Sequence, residues 1–528
     1  ETSMERLSTG KRINSAADDA AGVAISSRLN ANLKGINQSI RNALDAQALF
    51  DTAEGAMQET ERLLQRIREL AVQAANDTNS ANDRAALDAE KTQLLAEIDR
   101  IAGATTWAGQ NLLDGTFTNK SFNVGGGTTA MDSFSTSLGN MSLSGLETDF
   151  TPVKIGNEEI VNTNVTADQE YAHVVKLSGG GYVVAWRDLS STDVKAQLFN
   201  ENGTKIGSEI TVNSTTSGFQ GWGDTSPISA LSDGGFVIVY QSPDASGVGQ
   251  FGQIFDSSGS KVGSEFQINT NTSGDQNNAS VSAFDAGGFV ATWTSADSNG
   301  WGVFSQIFDS SGNKQGGEFQ VNSYTSRSQW RSSVATLANG TFVVTWESDG
   351  QDGDGDGIFG QMYNNDGVKK NSEFQINSGT SLDQKEPTVK RLENDLFVVV
   401  WNTHNSSTGE DSVMGQIFDS EGQHRFSEFQ INTTTSSGFA VPQVTAMSDG
   451  GFMTVWRQLS FQGGNSDGSS YGIYGQRFDS TGSRLGSEIL LNSSTSGGQL
   501  NPSVAQLNNE QLISVWSGPG DGDSNGVI

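Results

Sequence analysis

Two different periodicities divide this chain. In the first, apolar side chains recur every three or four positions: Leu29, Leu33, Ile36 and Ile40, then Met57, Leu64, Ile67 and Ala71. That spacing draws one stripe along a helix. Residues 1–105 contain no Pro and few Gly, and are rich in Ala, Leu, Gln, Glu and Arg, which favour helix. Ser15 followed by Asp18 has the spacing of an N-terminal capping box with a shorter acid. The run Asn76-Asp77-Thr78-Asn79-Ser80 breaks the pattern, and a second helix is expected from about Asp83 to Ile101, with Leu87, Leu94, Leu95 and Ile98 on its apolar side. The first helix would run about 55–60 residues, far beyond the usual globular length. A second helix of roughly 20 residues cannot cover that stripe, so other segments or other chains must complete it.

In the second, beyond a Gly/Thr/Ser-rich connection around Gly125-Gly126-Gly127-Thr128-Thr129, short β-branched runs alternate with Gly, Asn and Ser turns. The sequence therefore reads as a helical part at 1–105, a connecting region at 106–152, and a repeat region at 153–528. A strand ending in Asn returns about every 55 residues, at Asn162, Asn213, Asn269, Asn322, Asn377, Asn432 and Asn492. An aromatic closes a second run at Trp186, Tyr240, Trp293, Trp346, Trp401, Trp456 and Trp516. The third marker, Gly-Gln-x-Phe-Asp, is clearest at Gly252–Asp256, Gly415–Asp419 and Gly475–Asp479.

Four strands per copy are expected. In the fifth they are Glu373–Asn377, about Glu386–Leu392, Leu396–Trp401 and Val413–Phe418. Turns such as Ser232-Asp233-Gly234-Gly235 suit tight hairpins. Four antiparallel strands repeated at this period signal the blades of a β-propeller. Blades stack face to face, which explains doubly apolar runs such as Phe342-Val343-Val344-Thr345-Trp346. The fold class expected is multidomain, α plus all-β: a long-helix coiled-coil segment, then seven four-stranded blades with the last one cut short. If each blade takes its outer strand from the next copy, the strand at 156–163 is left over and can complete the seventh blade, closing the ring. The rival reading is a linear array of β-sandwich modules, for which a unit of about 55 residues is small.

Charge narrows the function. Lys and Arg number 31 against 61 Asp and Glu, a net charge of −30, which argues against nucleic acid. Cys is absent, so no disulfide or thiolate chemistry is available. No stretch approaches ~18 consecutive apolar residues, so membrane insertion is not expected. His173, His404 and His424 lie in different repeats, and no His-Glu-x-x-His occurs. Gly-x-Ser-x-Gly appears at Gly464–Gly468 and Gly522–Gly526, both in polar loops without a following helix. An enzyme is therefore not expected. The loop carrying Asp349, Asp352, Asp354 and Asp356 offers hard oxygen ligands on a Gly-rich backbone, a candidate calcium site with a weaker echo at Asp521-Gly522-Asp523. The alternative is a solvated turn.

Three blocks of the helical part stand out: Glu5-Arg6-Leu7-Ser8-Thr9-Gly10-Lys11-Arg12-Ile13-Asn14-Ser15-Ala16-Ala17-Asp18-Asp19-Ala20-Ala21-Gly22, then Leu64–Asn76, then Glu97–Ile101 followed by Thr105–Gly115. In these blocks the chain resembles bacterial flagellins, with Trp107-Ala108 where the family usually has Phe-Asn. It implies a structural subunit that self-assembles into the flagellar filament, exported through the flagellar channel to the cell exterior. It also implies that family residues preceding Glu1, and a C-terminal helical arm, are not in this chain. Arg66, Leu70 and Glu90 match flagellin positions contacted by a Toll-like receptor, and the same positions can serve subunit packing. The repeat region is then an outer domain inserted between helical arms, whose acidic surface faces the medium and keeps filaments from sticking, or a module that binds glycans or surfaces.

Overall fold

The computed structural model describes every residue except 1, 75–80, 128–131, 143–151, 153, 155–156, 217, 222–226, 394, 439, 460–470, 495–496, 508–510 and 520–524. The helix-breaking run at 76–80 thus lies outside the described residues. The chain divides into two compact units, Glu1–Asp149 and Phe150–Ile528.

In the first unit a short helix α1 (Thr2–Thr9) precedes α2 (Ala20–Ala74, 55 residues) and α3 (Ala81–Ala104). The uninterrupted stripe predicted α2 at this length, but its start differs. Ser15 and Asp18 do bond, through Ser15 N to Asp18 Oδ2 at 3.2 Å, within a separate turn. The helix is capped by Asp19, whose Oδ1 accepts the Gly22 N–H at 2.8 Å. The middle of α2 is covered: Leu49 and Ala53 pack with Ala102, Leu112, Leu113 and Phe117, and Trp107 joins the rim of that cluster. Trp107 pairs with Gln110 in a tight hairpin, and a second hairpin joins Lys120–Asn123 to Ser133–Thr136.

The second unit is a seven-bladed β-propeller. Blade four shows the pattern: Gln329–Thr336, Phe342–Asp349, Asp356–Tyr363 and Lys369–Gln375 pair in sequence order as an antiparallel sheet. The outer strand Lys369–Gln375 is the Asn-terminated strand of the next repeat, so each blade borrows its outer edge as the sequence predicts. The first strand of each blade is innermost, and the seven inner strands touch in a closed ring. Phe342, Val343, Val344 and Trp346 are all fully buried because neighbouring blades cover both faces. Apolar clusters fill the seams, one at each except two between blades six and seven; an example is Val290, Val303 and Ile307 of blade three against Phe342, Val344 and Trp346 of blade four.

The repeat markers have separate mechanical tasks. Asn377 Oδ1 accepts the Ile358 N–H of blade four at 2.8 Å while its Nδ2 reaches Gly379 O and Gln384 Oε1, tying the end of the outer strand to the start of the inner strand of blade five. Gln361 Nε2 donates to Met362 O and Lys370 O across a β-bulge in the outer pair. Gly415 leaves room for the Phe429 ring, which would lie 2.8 Å from a Cβ placed there. Asp256 Oδ1 accepts N–H groups of Ser258 and Ser260, closing its turn.

Glutamates join blade to blade. Glu265, Glu318, Glu373 and Glu488, on outer strands, and Glu428, just before one, accept the backbone N–H just past the marker Asn of the preceding blade, at 2.6 to 2.9 Å. Glu209 does the same for Thr163, and Glu158 for Ser493. Blade seven has three strands of its own, Leu500–Gln506, Leu512–Gly518 and Gly526–Val527. The leftover segment completes it: Val161 N donates to Val527 O at 2.8 Å. Blade five departs from the pattern, since its outer strand is reduced to Phe429–Gln430 and an extra pair, Ser436–Ser437, adds beside it.

Candidate functional site

On α2 the apolar stripe stays open over its first half. Ile25, Leu29, Leu33, Ile36, Ile40 and Leu44 are 49–58 % exposed, four or three residues apart, on one face. Another face of the same stretch is occupied: Asn42 Nδ2 donates to Asn123 O at 2.9 Å, and Gly35 lies against the backbone of Gly126.

Of the three predicted contact residues, Arg66 and Glu90 meet, with Arg66 Nη2 2.8 Å from Glu90 Oε1, and Glu69 takes the other guanidinium edge at 3.1 Å. The Glu90 hydrogen bond, then that to Glu69, holds the Arg66 pKa above its ordinary value. Leu70 is buried at 2 % exposure. Exposed pairs of this kind are worth little to stability, so the Arg66–Glu90 bridge sets geometry more than energy.

Asp349 and Asp356 face each other across the hairpin of the candidate calcium loop, but the four aspartates do not converge on one point. Asp349 Oδ1 binds Arg327 Nη1 at 2.9 Å, Asp356 Oδ2 binds Lys385 Nζ at 3.1 Å, and Asp352 accepts from Asn377 Nδ2 and Asp354 N. Among the described residues no group of three or more His, Asp or Glu side chains is placed to hold a metal ion. The echo at 521–523 and the run Gly464–Gly468 lie outside the described residues, as does most of Gly522–Gly526. The histidines stay apart: His173 is buried in an inner strand, where burial lowers its pKa to about 3, and His404 pairs with Asp411 at 2.9 Å.

Sequence reasoning did not anticipate the mouth of the propeller, where the inner strands begin. Five inner strands carry a bulge whose residue is left-handed without being glycine: Tyr171, Asn278, Arg331, Glu386 and Asn501, with φ of 50–57°. In each, the register shifts at that point. Such strained bulges re-aim side chains and cluster at binding sites. Across from them, the residue after each closing aromatic is polar in every blade: Arg187, Gln241, Thr294, Glu347, Asn402, Arg457 and Ser517.

Blades four and five supply the densest part of this mouth. Arg331 Nη1 sits 2.7 Å from Glu386 Oε1 and 3.5 Å from Glu347 Oε2, so one guanidinium serves two carboxylates from neighbouring blades. Trp330 Nε1 donates to the other Glu347 oxygen at 2.5 Å. Burial pushes the Glu347 carboxyl up to about 7, although Arg331 pulls the other way. In blade one, Arg187 binds Glu170 at 2.5 Å and lies over the rings of Tyr171 and Phe219. The mouth thus combines paired charges with partly open aromatic faces.

Residues 1–118 match the bacterial flagellin N-terminal helical region. Flagellin A of Vibrio anguillarum is 54 % identical over 124 residues, 24 % of this chain and 33 % of that protein. The B-type flagellin of Pseudomonas aeruginosa is 50 % identical over 145 residues, 28 % of this chain and 29 % of that protein. The chain thus spans about a third of the length of these curated relatives. Among solved structures, an α-L-arabinanase of Penicillium chrysogenum superposes with a TM-score of 0.41 at 12 % identity, covering 62 % of this chain and 99 % of that one. The matched helices and the seven closed sheets together identify the chain as a flagellin N-terminal helical region, residues 1–118, followed by a large β-propeller.

Proposed function

We propose that this chain is a structural subunit of the bacterial flagellar filament, carried outside the cell, with the propeller as a domain that each subunit displays. The observation that carries the reading is the open stripe from Ile25 to Leu44. Six large apolar side chains, each about half exposed, are a poor surface for a lone helix. Covering the remaining half of each would contribute roughly 1 kcal/mol apiece, enough to drive association once many subunits share the contact. The partner of this reading is further flagellin helices, from other subunits or from a C-terminal arm. Arg66 and Glu90, bridged and exposed between α2 and α3, are assigned to subunit packing or Toll-like receptor contact, with Leu70 buried beside them. The test is assembly of the full-length protein with Leu33→Glu and Ile36→Glu: loss of filaments with intact helix and propeller supports the reading, and normal filaments refute it.

A second reading, in which the displayed propeller also binds glycans or surfaces, is favoured by the mouth around Trp330, Arg331, Glu347 and Glu386. Aromatic faces beside paired hydrogen-bonding groups suit polyhydroxylated ligands. A glycan array probed with the full chain, alongside Trp330→Ala, tests it. Binding to no glycan, or binding that Trp330→Ala leaves intact, would refute it.

A further inference from the structure

Blade five fastens its outer strand differently from the other blades. Elsewhere each latching glutamate has a cation four residues before it, which reaches the same neighbouring turn as a donor. Lys261 Nζ donates to Asn213 O at 3.4 Å, Lys314 Nζ to Asn269 O at 3.2 Å and Lys154 Nζ to Asn492 O at 3.2 Å. Lys205 donates to Ile160 O, Lys369 to Ser323 Oγ, and Arg484 to Asn432 O and the two carbonyls before it. The glutamate accepts and the cation donates, so each outer strand grips the end of the preceding one with two charged prongs.

In blade five the cation's place, four residues before Glu428, is taken by His424. Glu428 keeps its bond to Ser378 N at 2.6 Å. Among the described residues no bond runs from His424 to Asn377 or Ser378; its exposed ring rests on Phe418, with centroids 4.7 Å apart. A second replacement loosens the same strand. Two residues after the cation the outer strands bulge through a left-handed residue, Gly207, Gly263, Gly316, Asn371 or Gly486, with φ of 63–69°. Blade five has Phe426 there, a bulky residue for which that conformation is costly. Its strand is cut to Phe429–Gln430 where those five run seven residues, and Phe426 is left 40 % exposed.

The other charges around His424 are already engaged. Asp419 accepts the N–H groups of Glu421 and Gln423 in the turn before it. Glu421 is paired at 2.5 Å with Lys370 of the preceding outer strand, while Lys369 and Glu373 of that strand are committed to Ser323. Arg425 follows in the chain, and Glu428 is held by Ser378. Histidine is the one cation of the latch set whose charge changes between pH 5 and 8.

We propose that the outer segment of blade five, residues 424–430, is a proton-controlled strap on the ring. With a proton, His424 has two N–H donors and a positive charge, and it supplies the missing prong to the turn at Asn377 and Ser378. Without one, Glu428 alone holds the strap, and the segment opens locally while the three inner strands of the blade stay paired.

Native-state hydrogen exchange on the full chain tests this, with protection in 424–431 set against protection in 314–321 of blade three. At pH 8 the blade-five segment should be protected roughly tenfold or more weakly, and the gap should narrow at pH 5.5. His424→Lys should raise protection at pH 8 to its pH 5.5 level and abolish the pH dependence. Phe426→Gly should raise protection at both pH values and leave the pH step in place, which separates the bulge from the latch. Lys314→His should install a pH-dependent opening in blade three, a readout that stands even if His424→Lys fails to fold. Equal protection of the two segments at pH 8, a gap that pH does not change, or a pH step retained in His424→Lys overturns the proposal.

Discussion

Asn162 holds Val527: the Oδ1 of the one accepts the backbone N–H of the other at 2.8 Å, across a separation of 365 residues. The same side chain donates to Asn164 O and to Gln169 Oε1, so it anchors both the seam and its own turn. Asn162→Ala should leave these buried groups unpaired and cost about 2–3 kcal/mol. Asn322→Ala, which breaks the equivalent bonds to Val303, Tyr324 and Gln329 in blade three, should cost the same if the ring melts as one body. Urea denaturation of the two variants checks this, and a much smaller effect at Asn162 would mean the closure is a weak seam.

The Glu347 carboxyl predicts a pH dependence with a definite sign. Its folded value is raised from 4.5 to about 7, so the folded chain holds this proton more tightly than the unfolded one. Its contribution to stability is therefore full below pH 4.5 and is lost as pH rises through about 7. Relative to the unsubstituted chain, Glu347→Gln should gain stability across that window, on the order of 2–3 kcal/mol by neutral pH. Melting curves at pH 4.5, 6 and 8 decide it, and parallel profiles would show that Arg331 keeps the carboxylate ionised throughout.

The open half of α2 predicts a separation of folding from assembly. Leu33→Glu and Ile36→Glu lie where about half of each side chain is already in water, so the melting temperature should shift little. Filament formation by the full-length protein should fail, because charges would have to be buried at each contact. Sedimentation and electron microscopy read the result.

Gly415 predicts a packing defect of known direction. A Cβ there would lie 2.8 Å from two atoms of the Phe429 ring. Gly415→Ala should push that ring out and destabilise the propeller by about 1–3 kcal/mol. Gly379→Ala, which meets nothing within 4 Å, is the matched control.

Which of these features could be read beforehand follows from how each is encoded. The length of α2 was legible because no Pro or Gly-rich break interrupts the stripe before residue 75. Its cap was misread because Ser15 and Asp18 satisfy each other in a turn of their own, leaving Asp19 to start the helix. The short helix Thr2–Thr9 is too brief to show a period. The blade grouping and the closing segment were legible because the marker Asn sits at a fixed place in every outer strand. The mouth was not, because it is made by left-handed backbone at Tyr171, Arg331 and Glu386, residues that give no local sign of that conformation. The partners of the aspartates at 349–356 were hidden for a related reason: Arg327 and Lys385, which pair with Asp349 and Asp356, lie over twenty residues away in sequence.

A row of such modules laid end to end would fray from its tips, one sheet after another, since a terminal module has a neighbour on one side only. Here the glutamate latches run all the way round, with Glu158 on Ser493 and Glu209 on Thr163 leaving no tip at which unravelling can begin. Heat or denaturant must therefore break a seam inside the circle before any sheet can peel away, and the seven sheets should survive or perish together.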